Sequence, residues 1–158
     1  MEQIKSQYPP LAQKYKLPSY EELDQEFELL YIREVCEIAR PLSFIRRRIN
    51  DKIGWVCNML QALLQPNPSS LVNMKEASFL TREEKEQCQK LLKELMSLER
   101  YSLSLDVETS EQNDAEYIKT GITSWKAAKP IIRAITQHLH QGWKQETKRE
   151  KNIQNYTG

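Results

Sequence analysis

The sequence predicts an all-α fold on three observations: only four glycines in 158 residues, two Ser/Thr-x-x-Glu capping boxes, and apolar residues recurring at helical spacing. A glycine-poor chain has little material for tight β-turns or phosphate-cradling loops. No segment keeps a two-residue alternation, so no sheet is expected. The expected architecture is an antiparallel bundle of about four long helices with one short helical connection.

The elements follow in order. Residues 1–18 contain three prolines and no long period, and read as an extended N-terminal arm. Ser19 and Glu22 form the first capping box, which starts a helix running to about Arg40 on the stripe Tyr20, Leu23, Phe27, Leu30, Tyr31 and Ile38. Pro41 is acceptable in the first turn of the next helix. That helix carries Leu42, Ile45, Ile49, Ile53, Val56, Leu60 and Leu63 and stops at Pro66 and Pro68. A short helical stretch follows over Leu71 to Leu80. Thr81 and Glu84 then cap a third long helix, with Cys88, Leu91, Leu92, Leu95 and Leu98 inward and an end near Leu105.

The polar run 108–114 reads as a loop. A last helix spans about Ala115 to Lys148 on Ile118, Ile122, Trp125, Ala128, Ile132, Ile135, Leu139 and Trp143. Pro130 should kink or split it. Residues 149–158 read as a frayed polar tail, which leaves 19–148 as a single helical-bundle domain.

Composition narrows the function classes. A net charge of +1 creates no global field for nucleic acid or an anionic membrane, although acidic and basic stretches alternate along the chain. Three widely spaced cysteines, Cys36, Cys57 and Cys88, suit reduced thiols and a cytoplasmic location. No run of 18 apolar residues is present, so no membrane contact is expected. There is no phosphate loop, no His-Glu-x-x-His and no Cys-x-x-Cys, and neither His138 nor His140 has the Glu that a di-metal bundle motif needs. No catalytic residue, cofactor or metal is therefore assigned.

Two groupings carry the functional reading. At about 100° per residue, Glu34, Arg46 and Glu99 fall inside apolar stripes. They form a candidate buried polar cluster, read first as a structural ion pair between Glu34 and Arg46 with Glu99 nearby. The alternative is an internal pocket of a bundle enzyme or small-ligand binder. The run Arg46-Arg47-Arg48 spreads over about 200° of the helix and so makes no single basic surface.

The second grouping lies opposite the core stripe of the same helix, where Phe44, Arg48, Lys52, Trp55 and Met59 make a candidate interaction face. Either that helix is buried on both sides, or the face receives a partner. The expected role is a non-catalytic protein-binding module, with a homodimer as one form. RNA binding through the basic second helix and the C-terminal tail is the alternative.

Overall fold

Among the residues described by the computed structural model, 2–29 and 39–156, the chain is all-α, with six helices and no strand. These are α1 (Glu2–Tyr15), α2 (Tyr20–Phe27), α3 (Pro41–Leu64), α4 (Leu71–Phe79), α5 (Arg82–Val107) and α6 (Glu111–Tyr156). Side-chain chemistry starts several of them. Ser19 accepts the Glu22 amide at 3.1 Å and Ser70 accepts the Asn73 amide at 3.3 Å. The second capping box is complete: Thr81 Oγ1 accepts the Glu84 amide at 3.2 Å, and Glu84 Oε2 accepts the Thr81 amide at 2.8 Å.

Five sequence expectations are corrected. The N-terminal arm is not extended but forms α1, with Pro9 and Pro10 inside it. Both prolines are exposed, while Tyr8 beside them is only 1% exposed. The Tyr8 hydroxyl donates to the Pro18 carbonyl at 2.7 Å, and its ring meets Tyr20 edge-on at 6.1 Å. Tertiary burial thus outweighs the proline penalty of about 3 kcal/mol. Lys16, at φ 53°, closes α1 in the left-handed conformation, and the Leu17 amide reaches back to the Ala12 carbonyl.

The helix opened by Ser19 does not run on to Arg40 unbroken. It ends at Phe27, where Glu28 turns left-handed (φ 52°, ψ 52°) and its amide closes on the Asp24 carbonyl at 2.8 Å. Glu34 lies outside the described residues.

The last helix begins at Glu111 rather than Ala115 and is not split at Pro130, being one element of 46 residues. Pro130 is exposed and removes only the donor that the Lys126 carbonyl would otherwise receive. The tail does not fray at residue 149, since helix continues to Tyr156 through a run rich in strong helix formers.

The chain divides into two compact units, Met1–Trp55 with Glu94–Lys126, and Val56–Lys93 with Ala127–Gly158. In the first, α2 supplies Leu23 and Phe27, α3 supplies Leu42, Ile45, Ile49 and Ile53, and α6 supplies Tyr117, Ile118 and Trp125 to a buried core. The Phe27 and Trp125 rings lie 5.8 Å apart. In the second, Val56, Leu60, Leu63, Cys88, Leu91, Ile132, Ile135 and Leu139 are buried. There α4 is held to α6 by Phe79 edge-on to Trp143 at 5.6 Å, Trp143 Nε1 donating to Glu76 at 2.9 Å, and Lys75 paired with Glu146 at 2.9 Å.

Two helical glycines in these units should respond oppositely to a methyl group. A Cβ on Gly142 would sit 2.5 Å from the Phe79 ring, whereas one on Gly54 would meet only Glu99 Oε1 at 3.6 Å. In urea unfolding, Gly142→Ala should destabilise by about 1–3 kcal/mol through overpacking. Gly54→Ala should stabilise by about 0.5–1 kcal/mol through helix propensity.

Candidate functional site

The second long helix of the sequence, α3, carries both groupings of interest, because its residues point in different directions around one axis. Its core stripe is fully buried, and Arg46 is buried with it at 0% exposure. A guanidinium in such a place needs acceptors on nearly every N–H. It finds them in α5 and α6. Nε donates to Asp114 Oδ1 at 2.6 Å. Nη1 donates to the Ser102 carbonyl at 2.7 Å and to its hydroxyl at 2.6 Å. Nη2 donates to Asp106 Oδ1 at 2.5 Å. The second oxygen of Asp114 accepts from the Ser43 hydroxyl at 2.6 Å, one turn before Arg46.

Among the described residues Arg46 pairs with Asp106 and Asp114, while the expected partner Glu34 lies outside them. Glu99 is half-buried against Gly54. Sequence reasoning missed Ser43, Ser102, Asp106 and Asp114. A signal did exist: Ser102 and Asp106 stand one helical turn apart at the end of α5, and Asp114 lies in the first turn of α6. Asp114 is favoured there by the helix dipole, though reading the polar run as loop hid it. Hydrogen bonds from Arg46 foremost, then from Arg47, hold the Asp106 carboxyl below its usual range against the opposing effect of desolvation.

A partly open cavity of about 340 Å³ lies beside this cluster, lined by Ala39, Arg40, Ser43, Thr109, Ser110, Glu111 and Asp114 among others. Neither Arg46 nor Glu99 lines it. Its two carboxylates are already engaged. Asp114 is held by Ser43 and Arg46, and Glu111 accepts from Lys14 at 2.9 Å and from the Tyr15 hydroxyl at 2.7 Å.

On the opposite side of α3, Trp55 is 60% exposed, so burial on both faces does not hold at that residue. Phe44 and Arg48 are half-buried, with the guanidinium 5.9 Å from the Phe44 ring centroid. Arg48 Nη1 stands 3.6 Å from Asp51, while its Nε is buried without a hydrogen-bond acceptor among the described residues. Lys52 is turned inward: its ammonium donates to the Glu26 carbonyl at 2.6 Å and lies 5.3 Å from the Trp125 ring centroid. Met59 is half-buried and belongs to the second unit.

Elsewhere, His138 Nδ1 meets Glu84 at 2.7 Å, coupling α6 to the cap of α5. Among the described residues no group of three or more His, Cys, Asp or Glu side chains could hold a metal. No described helix is long and apolar enough to cross a membrane.

Arg46→Met should lower the unfolding free energy by about 3–5 kcal/mol in denaturant titration, because it leaves the buried Asp114 carboxylate uncompensated. Asp106 adds a pH signature. Its folded pKa is depressed, so its stabilisation is present above the unfolded value of about 3.9 and is lost as the pH falls through the folded one. Acid titration of the Arg46→Met protein should show a shallower loss of stability in that window. No protein-family model, curated protein or solved structure matches the chain.

Proposed function

We propose that this chain is a non-catalytic, cytoplasmic binding module that engages protein through the outer face of α3, centred on Trp55. One observation carries the reading: a tryptophan 60% exposed on a helix whose other side is a fully buried core stripe. Trp and Arg are types enriched where interfaces concentrate their binding energy, and Phe44 and Arg48 stand about three and two turns from Trp55 on the same side. Cys88 is a free, buried thiol, which suits a reducing compartment.

The disposition of charge favours protein over RNA. Binding to phosphates draws its strength from cations free to displace counterions. On α3, Arg46 is consumed by Asp106 and Asp114, Arg47 by Asp106 at 2.9 Å, and Lys52 by Glu26, with Glu28 at 3.9 Å. In the C-terminal region Arg149 pairs with Glu146 at 3.2 Å. A pocket enzyme is disfavoured on similar grounds, because both carboxylates lining the cavity are held by other side chains and neither is left as a free base.

A photoreactive benzoylphenylalanine placed at Trp55 tests the proposal in the source cell. It should yield protein adducts of defined mass that are absent when the probe replaces exposed Arg100. Nucleic-acid adducts alone, or equal labelling from both positions, would refute it. Trp55→Ala itself should change stability by no more than about 0.5 kcal/mol, as expected for a surface position.

A further inference from the structure

We infer that the protein received by this face is a second copy of the chain, packed antiparallel along α3 with its two-fold axis between Arg48 and Asp51. The inference rests on the outer face of α3 being a protein-binding surface, and it names the occupant. Phe44, Arg48, Asp51 and Trp55 follow one another at spacings of four, three and four. That is the spacing of a coiled-coil seam, and at about 100° per residue the four positions lie within roughly 60° of one another. All four are exposed or half-buried. Flanking residues are engaged away from the strip, Arg47 with Asp106 on one side and Lys52 with Glu26 on the other. The strip left between them is the seam.

The order along the strip is self-complementary. It reads aromatic, cation, anion, aromatic, and the spacing is the same from either end. A two-fold axis uses one patch twice, so each contact recurs with the copies exchanged. With antiparallel helices and the axis between residues 48 and 51, Arg48 faces the partner's Asp51 and Phe44 faces the partner's Trp55. Both contacts form twice. A parallel pairing would instead set arginine against arginine and aspartate against aspartate.

Within one copy Arg48 and Asp51 are only loosely engaged at 3.6 Å, with the Asp51 side chain 66% exposed. Asp51 can therefore accept a closer bond from a second guanidinium. The aromatic pairs at either end supply most of the apolar area. The twelve residues from Phe44 to Trp55 span only about 16 Å of helix, so the dimer should be weak and concentration-dependent. Because its central charges lie near solvent, it should also weaken with salt.

Charge exchange tests this on the full chain by sedimentation equilibrium from about 1 μM to about 1 mM, which brackets weak association. Circular dichroism verifies that each variant is folded. Wild type should dimerise. Arg48→Asp and Asp51→Arg should each raise the dissociation constant at least about tenfold, since each replaces two attractions by two repulsions. An equimolar mixture of the two variants should form a heterodimer, and the double exchange should recover self-association. A wild type that stays monomeric throughout overturns the inference. In that case Trp55-directed cross-linking to a different protein would still uphold the proposed function, whereas its absence would remove both. A dimer indifferent to both single exchanges, or a mixture that fails to associate, overturns the seam.

Discussion

A fully buried guanidinium is the most demanding group in the first unit, and much of that unit is arranged around its demand. Removing an arginine from water costs several kcal/mol unless its donors find acceptors in good geometry. Arg46 satisfies four of its five N–H groups with Ser102, Asp106 and Asp114. Those acceptors lie on either side of the short turn between α5 and α6, so one side chain of α3 ties down the end of one helix and the start of the next. Ser43 then occupies the free oxygen of Asp114, and Arg47 shares Asp106. Loss of any acceptor would leave a buried charge, which makes the cluster cooperative rather than a sum of pairs.

The same constraint sorts the three consecutive arginines. Arg46 points into the core, Arg47 sideways to α5, and Arg48 outward beside Phe44. Lys52, one turn past Arg48, is drawn to the end of α2 by the Glu26 carbonyl. A run that resembles a nucleic-acid patch on paper is therefore dispersed and largely neutralised in space. The reason is geometric, because successive helical residues diverge by about 100°.

Much of this was legible in the sequence, and the parts that were not have identifiable causes. The apolar stripe of α3 was plain, and with it the burial of Arg46, since a polar residue at a core angle has nowhere else to go. Its partners were hidden because Asp106 follows the apolar stripe of α5 and Asp114 sits in a polar run that reads as loop. Helix α1 was obscured by Pro9 and Pro10, whose local penalty is offset only by non-local contacts of Tyr8 with Pro18 and Tyr20. Glu28 ended α2 in a left-handed conformation that no glycine advertised. Pro130 interrupts a single hydrogen bond in a helix otherwise rich in strong formers, so the expected split did not occur. Helical angle alone places Trp55 on the outer face, but its exposure depends on what packs beside that face.

Inner and outer sides of α3 are consequences of one another. A helix packed only by Leu, Ile and Val can rotate somewhat about its axis and still bury apolar surface, because hydrophobic contact is non-directional. Arg46 removes that freedom, since bonds of 2.5–2.7 Å to three residues fix the azimuth of its side chain. Once Arg46 is fixed, residues about 140–200° away have no choice of direction. Those residues are Phe44, Arg48, Asp51 and Trp55. A rotation of even one residue step would swing Trp55 toward a flank and break the guanidinium's bonds. The buried charge thus specifies which residues the helix turns outward. That gives a physical reason for a bundle to keep a buried arginine despite its desolvation cost.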